Sequence, residues 1–241
     1  MKQIILITDG NSNTGVSPAA AAAQAYALGV VVNVIGIVDR ETEGAPGARE
    51  VEEIARSGGG VHRFVSAEKL AYTMQMMTRH TVMATIQQVV NQELKKIFGP
   101  AETRLTSVDP GKRAQLVRSM DEWAETAPIQ VALLIDASAS MKNKFDAVRE
   151  SAVDLLVSMQ ARAGKSELCV FHFPGNTSNV VEMDAGWTAE VDKIRNILYK
   201  INVKGTTPTG PAILRALNYL CGEQELEREG AKEALWGDYV V

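Results

Sequence analysis

What limits the folds open to this chain is a pair of short, wholly apolar runs that each break into an acid-bearing polar corner. Residues 4–7 read Ile-Ile-Leu-Ile and pass directly into Thr8-Asp9-Gly10. Residues 131–135 read Val-Ala-Leu-Leu-Ile and pass into Asp136-Ala137-Ser138-Ala139-Ser140. A strand with no polar side to turn to water has to be covered on both faces, which happens inside a parallel sheet flanked by helices. Residues 30–38, 61–65 and 168–173 are further strand-length runs, and an edge strand is expected over 180–183, after the Pro174-Gly175-Asn176 turn.

Between these runs the pattern turns helical. Pro18 opens an Ala-rich stretch to Leu28, with Ser17 placed to cap it and Gly29 to end it. A short helix over 49–56 stops at Ser57-Gly58-Gly59-Gly60. That glycine cluster follows a helix and precedes a strand, the wrong order for a phosphate-binding loop. From 67 to 98, Leu70, Met74, Met77, Met83, Ile86, Val90, Leu94 and Ile97 recur mostly at three- and four-residue spacings. This predicts a long helix, with its methionines in the core and a bend near Arg79-His80-Thr81. Helices are also expected over 141–161, 189–199 and 211–221. The alternation predicts an α/β fold with a doubly wound, mostly parallel sheet. Residues 99–130, with a turn at Asp109-Pro110-Gly111 and a short helix over 112–125, read as a connector. Residues 223–233 read as a solvated helical extension.

A chain of 241 residues can bury a core without disulfides or a structural metal. Cys169 and Cys221 lie in apolar contexts and read as small core residues, which points to a reduced compartment. A formal net charge of −4 gives no general pull toward nucleic acid or an anionic membrane. Trp123, Trp187 and Trp236 are scattered and make no stacking platform. No apolar stretch reaches the roughly 20 residues that span a bilayer. Residues 1–7 lack the pattern of a secretory leader, so a cytoplasmic location is expected.

Three segments carry the chemistry. Asp136-x-Ser138-x-Ser140 and Thr8-Asp9-Gly10 each follow a buried strand, and Gly205-Thr206-Thr207-Pro208-Thr209-Gly210 precedes a helix. In a doubly wound sheet, residues leaving the carboxyl ends of neighbouring strands meet in one crevice. Carboxylate and hydroxyl oxygens suit Mg²⁺, Mn²⁺ or Ca²⁺ better than zinc. Taken singly, each acid or serine reads as a helix cap or a turn residue.

Together the three segments resemble the metal-ion-dependent adhesion site of von Willebrand factor A-type (vWA) domains. The resemblance implies metal ligation by Asp136, Ser138, Ser140, Thr207 and Asp9, with Thr209 the neighbour that could be mistaken for Thr207. The family order places the Thr-Asp-Gly corner last, whereas here it comes first. Residues 1–98 thus resemble the back half of such a domain and residues 131–241 the front half, in permuted order, making a single domain over 1–241. The same halves could also complete one another between two chains in a swapped homodimer, or belong to successive domains of a longer protein. The chain as a whole also resembles the small stand-alone vWA proteins of bacteria.

The expected function is metal-dependent binding of a protein partner through that partner's Asp or Glu, with Mg²⁺ as the first candidate ion. Nucleic acid, membrane and catalysis are not expected. The alternatives are a metal-dependent hydrolase or phosphatase and a structural domain with a vestigial site. His172, late in its strand, is the general-base candidate near the crevice and is expected to pack or hydrogen-bond at the sheet end instead.

Overall fold

A computed structural model describes residues 1–10, 12–38, 47–98, 109–175 and 180–222. Residues 39–46, the start of the expected connector at 99–108 and the charged extension expected over 223–233 lie outside the described residues. Strands β1 (Lys2–Thr8), β2 (Val30–Ile37), β3 (Gly59–Val65), β4 (Ile129–Asp136), β5 (Ser166–Phe173) and β6 (Glu182–Thr188) form one sheet. Its order is β3-β2-β1-β4-β5-β6. Every pairing is parallel except that of β6 with β5. Helices α1 (Pro18–Ala27), α2 (Ala48–Ser57), α3 (Leu70–Phe98), α4 (Pro110–Thr126), α5 (Phe145–Gln160), α6 (Val191–Leu198) and α7 (Thr209–Cys221) flank it. This is the doubly wound, mostly parallel α/β architecture the strand pattern predicts.

The unbroken apolar runs are explained by two cores, one on each face. Successive residues of a strand point to opposite faces. Ile5, Ile7, Leu133 and Ile135 join α3 and α5 in one cluster. Ile4, Leu6, Ala132 and Leu134 join α1, α2 and α7 in the other. Cys169 and Cys221 are both buried in the second cluster and are not joined in a disulfide. Burial pushes the Cys169 thiol strongly up, so it stays protonated.

Three sequence expectations are corrected. Helix α3 runs for 29 residues with no break at 79–81. Its threonines satisfy themselves on the helix, Thr78 Oγ1 donating to the Met74 carbonyl and Thr85 Oγ1 to the Thr81 carbonyl, both at 2.8 Å. Thr81 faces the sheet, where its hydroxyl accepts a 2.9 Å bond from Asn33 Nδ2. Arg79 and His80 face outward while Thr81 packs toward the sheet, so the polar stretch does not break the helix.

The expected connector contains a 17-residue helix, α4, and gives its last residues to β4. Asp109-Pro110 is a helix start and not a turn. The Asp109 carboxylate caps the Gly111 and Lys112 amides at 3.0 and 3.4 Å, with proline in the first turn. The edge strand lies at 182–188, later than expected. Of its seven residues only Ala185 and Thr188 are buried, so it shows little apolar signal.

No helix among the described residues is long and apolar enough to cross a membrane. The arrangement that matters most for function is the pairing of β1 with β4. These two strands run side by side in the same direction, Ile7 opposite Ile135. Their carboxyl ends therefore release Thr8-Asp9 and Asp136 at the same place.

Candidate metal centre

Asp136 is the last residue of β4 and is wholly buried. Its Oδ2 accepts a 2.7 Å bond from Thr8 Oγ1 across the β1–β4 junction. Its Oδ1 accepts a 2.8 Å bond from the Ser138 amide. These donors are neutral. Burial holds the Asp136 carboxyl above its usual range, the bonds from Ser138 and Thr8 pull it down, and the charge of Asp9 pushes it up again.

The chain of contacts continues outward. The Ser138 and Ser140 hydroxyls lie 3.2 Å apart. Ser140 Oγ donates to Asp9 Oδ1 at 2.7 Å. Lys144 Nζ donates to Asp9 Oδ2 at 2.8 Å, in an ion pair whose side chains are 12% and 2% exposed. Four of the five residues expected at the site, Asp136, Ser138, Ser140 and Asp9, are thus linked within one chain, although 131 positions separate Ser140 from Asp9.

Thr207 joins by its backbone. Its amide donates to Asn13 Oδ1 at 3.0 Å, and its carbonyl accepts from the Asn13 amide at 3.2 Å. The Lys204 amide donates to the Ala137 carbonyl at 2.7 Å, tying the threonine loop to the serine corner. Thr209 opens α7, only 1% exposed, and its buried hydroxyl has no partner among the described residues.

The sequence missed four residues that shape this place. Thr8 bonds Asp136, Asn13 holds Thr207, Lys144 pairs with Asp9, and the Glu50 carboxylate of α2 accepts the Ser12 amide at 2.9 and 3.2 Å. Thr8 was visible as part of its corner. The other three sit on a loop or on helices, where a polar residue is ordinary, and only the fold brings them in.

The donor set can be judged on its chemistry. Among the described residues no group of three or more His, Cys, Asp and Glu is placed to hold a metal. Here Asp9 and Asp136 offer carboxylates and Ser138 and Ser140 offer hydroxyls, with the threonine loop tied alongside through the Lys204 amide. Such oxygens fit a hard divalent ion that keeps some of its waters, not zinc. A buried carboxylate met only by neutral donors, with a second carboxylate near, is short of positive charge. A divalent ion would provide it.

His172 lies apart from this chain of contacts. Its Nδ1 sits 2.7 Å from Asp184 Oδ2, and both side chains are about one-tenth exposed. This is the hydrogen-bonded, sheet-end role expected of it. His172→Ala should lower stability by about 2–3 kcal/mol by leaving Asp184 buried and unpaired. Divalent-ion binding should stay unchanged, which thermal melting and ion titration of the same variant will check.

The chain belongs to the von Willebrand factor type A domain family, whose family model matches residues 130–235. It is 43% identical over 216 residues to the uncharacterized protein YabS of Bacillus subtilis (strain 168), spanning 90% of this chain and 87% of that protein. It also superposes on the crystal structure of an uncharacterized protein from Alicyclobacillus acidocaldarius subsp. acidocaldarius DSM 446. That match has a TM-score of 0.84 and 36% identity, over 93% of this chain and 95% of the other. Both likenesses reach well ahead of residue 130.

Proposed function

We propose that this protein is a metal-ion-dependent protein-binding domain of adhesion or scaffold type. A divalent cation, Mg²⁺ first and Mn²⁺ or Ca²⁺ by the same donor chemistry, would be held by Asp136, Ser138, Ser140, Thr207 and Asp9. An Asp or Glu side chain of a protein partner would complete its coordination. vWA domains commonly bind a divalent cation at the equivalent place. The observation that carries the proposal is the meeting of Asp9 with the Asp136-x-Ser138-x-Ser140 corner across the β1–β4 junction.

The same meeting supports a permuted order for the halves. Residues 1–98 supply the strand with the Thr-Asp-Gly corner, residues 131–241 supply the serine corner and the threonine loop, and both lie in one sheet of one chain. Binding is preferred to catalysis because the groups gathered at the site are acids, hydroxyls and a lysine paired with Asp9, and His172 lies apart from them against Asp184.

The test is thermal melting with and without a divalent ion. A ligand that binds only the folded state stabilises it by about 2.7 kcal/mol at one hundred times its Kd. For a chain of this length that corresponds to roughly 5–10 °C. Millimolar Mg²⁺ or Mn²⁺ should raise the melting temperature of the wild type and leave Asp136→Ala unmoved. Identical melting of the wild type with and without every ion tried would refute the metal site.

A further inference from the structure

We propose that Lys144 sets the metal affinity of this site by competing with the cation for Asp9. The inference rests on the metal-site proposal above and specifies how that site is regulated. Lys144 follows the 3₁₀ turn at Ala139–Asn143 and stands at the N-terminal end of α5. A positive charge there opposes the helix dipole, and the side chain caps nothing on the helix. Its ammonium instead reaches Asp9 at 2.8 Å, inside a pocket that leaves the lysine 12% and the aspartate 2% exposed.

Asp9 is thereby shared between two donors, Lys144 on Oδ2 and Ser140 on Oδ1. A divalent ion drawing on Asp9 and Ser140 must weaken both contacts, and it meets an ammonium that it has to displace from Asp9. In a partly desolvated place that repulsion is poorly screened. The lysine thus does two things. It neutralises Asp9 when no ion is present, and it raises the ion concentration at which the site fills. Asp136, deeper and met by neutral donors, keeps its demand for positive charge. The site is accordingly tuned to be partly filled and responsive to the free-ion level, with Lys144 moving off Asp9 as the ion enters.

The experiment compares the wild type, Lys144→Met, Lys144→Arg and Asp136→Asn by calorimetric titration with Mn²⁺ and Mg²⁺ and by melting in chelator. Methionine keeps an unbranched side chain of similar length and removes the charge. Lys144→Met should bind Mn²⁺ about tenfold more tightly or better, a change equal to roughly 1.4 kcal/mol. Its melting temperature in chelator should fall, because Asp9 loses its counter-charge, and should recover when the ion is added. Lys144→Arg, which keeps the charge, should bind within about threefold of the wild type and serves as the second variant if the methionine protein folds poorly. A wild type too weak to measure beside a Lys144→Met protein that binds also supports the proposal. Equal or weaker binding by Lys144→Met, with a wild type that binds and an Asp136→Asn protein that does not, overturns the role of Lys144 and leaves the metal site standing. Binding by none of the four overturns both.

Discussion

Replacing Asp136 by asparagine should make the metal-free protein more stable while abolishing its response to divalent ions. The two effects have opposite signs, and few substitutions at a buried polar position share that signature. Asp136 is wholly buried, and its two oxygens accept from Thr8 Oγ1 and the Ser138 amide. Asparagine retains an oxygen for the Ser138 amide. It presents an NH₂ toward Thr8, whose hydroxyl can accept as readily as donate. The cost of keeping a carboxylate charged in this place then disappears, a gain of about 2 kcal/mol, or roughly 4–8 °C in melting temperature.

The pH dependence follows from the same burial. Because the folded state holds the Asp136 carboxyl above its usual range, it binds that proton more tightly than the unfolded chain does. The group's contribution to stability is fully present below its unfolded value and is lost as pH rises through the folded one. The difference between Asp136→Asn and the metal-free wild type should therefore open as pH rises from the acid range to neutrality, and saturating Mg²⁺ at neutral pH should close it. Melting curves over pH in chelator measure all of this. A variant less stable than the wild type at neutral pH in chelator would mean that the carboxylate is already compensated.

The second large effect is expected at Gly210, outside every acid or hydroxyl of the site. A Cβ there would lie 2.0 Å from the Val16 carbonyl oxygen and 2.9 Å from its carbon, both backbone atoms. No rotamer relieves such a clash, so the loop at 12–17 must move away from α7. That loop meets α7 a second time through Gly15, at φ +93°, whose own Cβ would strike Pro211. It also carries Asn13, which grips the Thr207 backbone from both sides. Gly210→Ala should lower stability by about 2–3 kcal/mol, or ~5–10 °C. It should also weaken Mn²⁺ binding, because the threonine loop loses its tether. Melting within about 2 °C of the wild type would show that the loop yields freely, and the tether would then have no structural force.

How much was legible beforehand differs between fold and site. The strands of the sheet interior were readable because residues such as 4–7 and 131–135 are apolar on both faces, and only a covered parallel strand uses that pattern. The strand at 182–188 was misplaced because an edge strand with one weakly buried face carries almost no periodic signal. Helix α3 looked bent where its threonines cluster, since sequence does not show that those hydroxyls fold back onto the preceding turn or reach Asn33. Asp136, Ser138, Ser140 and Asp9 were recognisable because their spacing and their place after buried strands survive in one dimension. Lys144, Asn13 and Glu50 were not, because each acts through a partner on another element.

The sequence alone settled the class of fold and picked out the acid- and serine-bearing corners that the proposed site uses. Both depend on properties of consecutive residues, namely which faces of a strand can meet water and which oxygens a tight corner presents. The tertiary structure alone decided that the two acid corners adjoin within one chain, through the parallel pairing of β1 and β4, and that a lysine joins the Ser140 hydroxyl against Asp9. Strand order and long-range charge pairing are set by how all the covered faces pack at once, a property no single segment contains.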